Sequence, residues 1–145
     1  MKPSGLARFK NAQNDDYQTA LAEIRNGRKR SHWMWYIFPQ LAGLGQSDTA
    51  RYFAIKDLRE AAAYLKDKQL RTNLIAICRA LLNLQSRDAH DIFGSPDDLK
   101  LRSCMTLFEQ VSGAPPVFGQ VLDEFFAGKR DQKTLDLLGI KKATD

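Results

Sequence analysis

The stretch Ser95–Gly113, SPDDLKLRSCMTLFEQVSG, decides the fold class. It opens with a helix start signal: Ser95 as N-cap, Pro96 at the first helical position, and Asp97 and Asp98 in the first turn, where negative charge favours the dipole. Leu101, Cys104, Met105, Phe108 and Val111 then follow at the spacing of one buried helical face, and Gly113 closes the element. Working outward, the same grammar repeats. Gln69 to Leu84 carries Leu70, Leu74, Ile77, Cys78 and Leu81 on one face, and Val117 to Ala127 is an amphipathic run stopped by Gly128. Asp131 starts a last helix closed by Gly139, Asp57 starts one rich in strong helix formers, and Ser47 or Asp48 caps a short one through Ile55. Ser86 to Phe93 reads as a brief helix ended by Gly94. Toward the N-terminus, Asp15 or Asp16 caps a helix with the stripe Tyr17, Ala20, Leu21 and Ile24, preceded by a separate turn over Leu6, Phe9 and Ala12. No run alternates with period two and no hairpin dipeptide occurs. The expectation is all-α: one compact, irregular or orthogonal bundle of seven to nine short helices in a single domain over 1–145, with frayed ends at about 1–4 and 141–145.

Composition narrows the function classes. The 145 residues suffice for a core without disulfides or metals, and apolar and charged fractions are ordinary for a globular protein. Charges interrupt every apolar stretch well short of the roughly 20 residues that span a membrane. The start, MKPSGLARF, has no hydrophobic secretory region. Cys78 and Cys104 lie inside helical patterns, as expected of small core residues in a reduced, cytoplasmic protein. The net charge of +5 is uneven: residues 1–31 hold seven Lys/Arg against three Asp/Glu. No glycine-rich phosphate loop, zinc motif or nucleophile elbow is present, so neither cofactor nor metal is expected.

Most of the unusual residues fall in Lys29–Gln40, KRSHWMWYIFPQ. Both tryptophans, Trp33 and Trp35, stand there with Tyr36, Phe38 and His32, directly after Arg28, Lys29 and Arg30. Aromatic bodies with polar tips beside positive charge suit a planar anionic ligand, although large aromatics more often serve the core. Residues two apart on a helix project about 200° from one another, so Trp33 and Trp35 are expected to differ in burial. Gln40 offers an amide to a ligand or braces the turn after Pro39. His32 can supply an acid, a base or a phosphate donor. In the later helix Lys100 and Ser103 share a face beside the Leu101/Cys104 stripe, where a lysine placed by hydroxyls binds phosphate or activates a hydroxyl. The plainer reading is a solvated flank with an ion pair from Asp97 to Lys100 or from Asp98 to Arg102. The sharpest expectation is that His32 and Lys100 converge on one polar pocket.

Four pieces match a known pattern in order and spacing: FKNAQ (Phe9 to Gln13), ALAEIRNGRKRSHWMWYIFPQLAGLGQS (Ala20 to Ser47), DIFGSPDDLKLRSCMTLF (Asp91 to Phe108) and VFGQVLDEFFAGKRDQKTLDLL (Val117 to Leu138). On these the chain resembles the bacterial family known as domain of unknown function 1810. The resemblance implies a small, mainly helical cytoplasmic protein and supplies no activity. The family pattern commonly has Ser-Ser before Met-Thr-Leu-Phe, whereas Ser103-Cys104 here removes the second hydroxyl. Some relatives carry the label calpastatin-like, yet a calpain-inhibitor segment is expected to be Pro-rich and disordered rather than built of capped helices.

Three functions are expected, in this order. First is binding of a small anionic or nucleotide-like ligand by Lys29, Trp33, Trp35, Tyr36 and Gln40, with His32, Lys100 and Ser103 as catalytic candidates if metal-independent hydrolysis or group transfer follows. Second is a protein-interaction module anchored by exposed aromatics. Third is nucleic-acid binding through the N-terminal basic region, ranked last because it requires a Lys/Arg stripe across several helices.

Overall fold

The computed structural model describes residues 5–140; the expected frayed ends lie outside that range. Nine helices follow one another, α1 (Ala7–Arg25), α2 (Met34–Ile37), α3 (Asp48–Phe53), α4 (Leu58–Lys66), α5 (Lys68–Leu82), α6 (Ala89–Phe93), α7 (Asp97–Glu109), α8 (Val117–Phe126) and α9 (Gln132–Leu137), and the fold is all-α. The only pairing outside helices among the described residues is a parallel bridge between Leu41 and Ile55.

The centre is α7. It packs against α4, α6, α8 and α9, and all of Leu101 and Ser103–Phe108 are buried. Enclosure by four helices leaves it little free flank, so Ser103 and Thr106, expected beside the core, lie inside it. The α1 helix runs along α5, and α5 reaches α8 and α4. A file of rings, Phe9 on Tyr64 at 5.2 Å, Tyr64 on Phe108 at 5.0 Å and Phe108 on Phe118 at 5.8 Å, ties α1, α4, α7 and α8 into one hydrophobic cluster.

Local chemistry sets most boundaries as expected. Ser47, Asp57, Asp67, Asp88 and Asp131 cap α3, α4, α5, α6 and α9, each accepting a backbone N–H of the first turn. Three expectations are corrected. The first is that α1 is one helix rather than a turn plus a helix: Asp15 and Asp16 do not cap, and the buried face runs on through Phe9, Gln13 and Tyr17. A polar Gln13 on the core stripe concealed that continuity. Next, α7 has no side-chain cap, because the helix starts at Asp97 and the N-cap position falls on Pro96, whose side chain has no acceptor, rather than on Ser95. Last, α3 stops at Phe53, since Ile55 is drawn into the bridge, its N–H donating to Gln40 O at 2.9 Å.

The irregular segments need partners for backbone groups that no helix satisfies. Buried Arg8 on α1 supplies them: its Nε donates to Tyr52 O at 2.8 Å, and one terminal nitrogen donates to Ala54 O at 2.7 Å and pairs with Glu60 at 3.1 Å. Buried Gln13 does the same for α2, donating to Tyr36 O and Tyr64 Oη, both at 2.9 Å. Replacing Arg8 with Ala would take the guanidinium from the carbonyls of Gly5, Tyr52 and Ala54 and leave the Glu60 carboxylate, still bonded to Lys56 N, without its cation. Urea denaturation of Arg8→Ala is therefore expected to show a loss of about 3 kcal/mol, with the helical circular-dichroism signal retained below the transition.

Candidate functional site

The aromatic segment is set in place by one carboxylate. Glu23, on the last turn of α1, accepts from Arg30 N at 2.7 Å, Ser31 N at 2.9 Å and the Trp33 indole N–H at 2.9 Å through Oε1, and from Ser31 Oγ at 2.5 Å through Oε2. Burial opposes its ionisation, but the hydrogen bonds from Ser31, Arg30 and Trp33 together outweigh burial and hold its pKa down to about 2. The chain can then turn after Gly27, whose φ of 80° suits glycine, and bring Trp33 into the core. Trp33 is 1 % exposed and meets Phe38 and Phe93 at 6.2 and 6.4 Å between ring centres.

The same loop delivers Lys29. Its ammonium pairs with Asp97 Oδ2 at 2.9 Å, donates to Ser31 O at 2.6 Å and lies 5.0 Å over the Trp33 ring. The other oxygen of Asp97 faces Lys100 at 3.5 Å, and the Lys100 ammonium lies 5.6 Å over the Trp35 ring. Two lysine–tryptophan pairs are thus joined through Asp97. One pair is sealed, with the Lys29 side chain 9 % exposed; the other is open, with Lys100 at 26 % and Trp35 half-buried. Trp35 and Lys100 line a cleft with Gln40, Phe38, Phe53 and Ala54 that holds about 10 Å³. That is room for roughly one water.

The structure therefore brings together Lys29, Trp33, Trp35, Gln40 and Lys100, with Trp33 in the core and Trp35 at a cleft. It places the other candidates elsewhere. The phenol of Tyr36 donates to Asp16, and burial followed by that contact pushes its pKa well up. His32 is exposed, and the bond it makes is through its carbonyl, from Tyr36 Oη at 3.3 Å. Ser103 Oγ donates to Leu99 O at 3.2 Å and Asp131 Oδ2 at 3.0 Å, fastening α7 to the start of α9. Convergence with Lys100 is seen for Lys29 through Asp97, and the His32 imidazole takes no hydrogen bond from that cluster.

Two residues at the heart of the arrangement, Glu23 and Asp97, were not singled out from the sequence as site residues. Asp97 was visible as a first-turn acid and as an ion-pair partner of Lys100, a pair the structure shows at 3.5 Å, but not as the partner of Lys29. Glu23 carries no signal, since its partners follow it by seven to ten positions across a loop. A broader groove of about 540 Å³ opens beside the cluster between Arg28, His90, Asp91 and Gly94. Its His90 is 64 % exposed and faces Asp98 at 3.5 Å. Among the described residues no group of three or more His, Cys, Asp or Glu is placed to hold a metal ion, and no helix is long and apolar enough to cross a membrane.

Two outcomes test this construction. Because the folded-state pKa of Glu23 is depressed, its contribution to stability is complete above about pH 4.5 and is lost as pH falls toward 2. Glu23→Gln is expected to be less stable at pH 7 by about 1–3 kcal/mol and to show a flatter dependence of melting temperature on pH between those values. Trp33→Ala is expected to cost about 3–5 kcal/mol by chemical denaturation, with a clearly smaller loss for Trp35→Ala.

The family model described as protein of unknown function (DUF1810) matches residues 3–138. No curated protein matches the chain. Among solved structures, the crystal structure of the conserved hypothetical protein Rv1873 from Mycobacterium tuberculosis is 42 % identical, covers 96 % of this chain and 99 % of that one, and superposes with a TM-score of 0.91. A family match over residues 3–138, with a solved structure alike across nearly all of both chains, establishes the relationship on sequence and on fold: the protein belongs to the DUF1810 family.

Proposed function

We propose that the protein binds a small ligand carrying an anionic group next to a planar one, in the cleft of Trp35, Gln40 and Lys100. The observation that carries this reading is the sharing of Asp97. Two ammonium groups lean on one carboxylate, and the shorter contact, at 2.9 Å, belongs to Lys29, whose side chain is the less exposed of the two. Lys100 is left with the longer contact of 3.5 Å and with access to solvent. One positive charge in excess, beside an aromatic face, is the complement of an anion attached to a ring. In this reading the anion takes Lys100 Nζ, the planar part lies against Trp35, and the Gln40 amide orients it.

The cleft is closed as it stands, so a ligand must displace its cover. That cover is α3 with the loop before it. No residue of α3 is buried, and Gly45 sits so near Ala50 that an added methyl would lie 2.5 Å from the Ala50 Cβ. Arg8 fixes only the far end, at Tyr52 and Ala54. Opening therefore falls to the 43–50 segment. Catalysis is not part of the proposal, because Ser103 is bonded to Leu99 O and Asp131 and the exposed His32 imidazole makes no hydrogen bond to Lys100 or Asp97. Docking of a partner through exposed aromatics has less support, since the large hydrophobics left exposed are Leu99 and Leu137.

The test is a thermal-shift screen with nucleotides, sugar phosphates and ADP-ribose derivatives. A binder at a hundredfold excess over its Kd is expected to add about 2.7 kcal/mol of stability. Lys100→Ala and Trp35→Ala should each remove the ligand-induced shift, while the unliganded Lys100→Ala protein melts close to the parent. A shift that persists in Lys100→Ala, or no shift with any compound of these classes, refutes the proposal.

A further inference from the structure

The helix α5, KQLRTNLIAICRALL, contains no acidic residue. Its apolar face, Leu70, Leu74, Ile77, Cys78 and Leu81, is spent in the core. What remains outward is Lys68, Arg71, Thr72 and Arg79, all exposed, with exposed Lys66 just ahead at the end of α4. Positions 68, 72 and 79 recur at helical spacing along one face, with half-buried Ile75 between them and Arg71 to one side. Lys68 and Arg79 stand about 16 Å apart along the axis at about 1.5 Å per residue.

These cations are uncommitted, whereas the acids around them are taken. Residues 56–83 hold six Lys/Arg against three Asp/Glu. Asp57 caps α4, Glu60 holds Arg8, and Asp67 caps α5 and pairs with Lys10 at 3.1 Å. Beside the line, Lys10, Lys68, Gln69 and Thr72 border a groove of about 480 Å³. Residues 84–140 are the reverse, with nine Asp/Glu against six Lys/Arg. The positive excess noted near the N-terminus therefore has a second, separate centre on α4 and α5, and the charge of the molecule is segregated.

We infer that the exposed face of α5, with Lys66, Lys68, Arg71 and Arg79, binds the phosphate backbone of a nucleic acid without regard to base sequence. The length of the line matches about five phosphates of one strand at about 3.4 Å along the duplex axis. The exposed Thr72 hydroxyl stands between the cations and suits a phosphate oxygen. A membrane surface is the poorer fit, because an interfacial helix immerses an apolar face and that of α5 is already buried. A protein partner fits less well too, since no aromatic or large exposed apolar anchor lies on this face.

The experiment is fluorescence anisotropy of the whole chain with a labelled random-sequence duplex of about 20 base pairs, titrated from about 50 to 200 mM salt. The parent is expected to bind with log K falling linearly in log salt at a slope near −3.6, for four phosphates neutralised. Arg71→Glu with Arg79→Glu should weaken binding at least ~10-fold and make the slope shallower by about 2. The same charge change on the acid-rich part, Lys129→Glu with Lys133→Glu, should leave binding within about twofold, because those cations make no phosphate contact. Should the glutamate pair unfold the chain, Arg71→Gln with Arg79→Gln must still reduce the slope by about 2. Equal weakening by both charge-reversal pairs, no binding by the parent at the lowest salt, or saturation by anionic vesicles but not by the duplex overturns the inference. Lys100→Ala should bind the duplex like the parent, which separates this surface from the Trp35 cleft.

Discussion

The Glu23 carboxylate is the interaction on which the candidate site rests. A helix satisfies its own backbone, but the turn from Gly27 to Trp33 has no ladder to join, and burying it unpaired would cost more than Trp33 returns. Glu23 removes that cost by accepting two backbone N–H groups, one hydroxyl and one indole N–H in a single place. The ionised form is the one that accepts them all, which is why its pKa falls although burial pulls the other way. Once the turn is fixed, Lys29 has one place to go, and Asp97 is there to meet it. The loop after α1 and the first turn of α7 are thereby held together by charge.

Glu23 is one of several polar groups with which α1 performs the same task. Arg8 holds the backbone after α3, Gln13 holds the carbonyl of Tyr36, and Asp16 receives the Tyr36 phenol. Each reaches away from α1 to a segment that is irregular or only one turn long. The short α2 cannot persist on its own propensity, since a four-residue helix is below the length at which isolated helices form. It persists because its ends are claimed by α1 and its rings by the core. Ordering the aromatic segment is thus as much the work of buried polar side chains as of hydrophobic burial.

That division explains what could be read from the sequence. Period and caps mark regular helices, so α4, α8 and α9 were legible from Asp57, Gly128 and Asp131, α5 from the stripe Leu70, Leu74, Ile77, Cys78 and Leu81, and the all-α class with them. Where a polar residue occupies a core position the period breaks, and Gln13 hid the middle of α1 for that reason. The site was half legible. Aromatics beside cations pointed to Trp35, the shared face with Ser103 pointed to Lys100, and spacing separated Trp33 from Trp35. The Asp97–Lys100 pair was legible at three positions, but nothing local indicates that Asp97 also takes Lys29, 68 positions away, because that half of the pairing is created by the fold. Ser103 and Tyr36 looked available as chemistry for the complementary reason: their partners, Asp131 and Asp16, are 28 and 20 positions distant.

The sharing of Asp97 has an energetic consequence for the proposed cleft. A carboxylate between two ammonium groups divides its attraction, and each lysine holds it less firmly than it would alone. An anion arriving at Trp35 draws Lys100 outward and leaves Asp97 to Lys29. The Lys29–Asp97 pair is the less exposed of the two, where charge interactions are least screened. On the proposed function, binding at the open half would tighten the sealed half, and with it the loop that Glu23 anchors. Occupancy of the cleft would then raise order in residues 28–33, so the ligand would be felt at the C-terminal end of α1 without touching it.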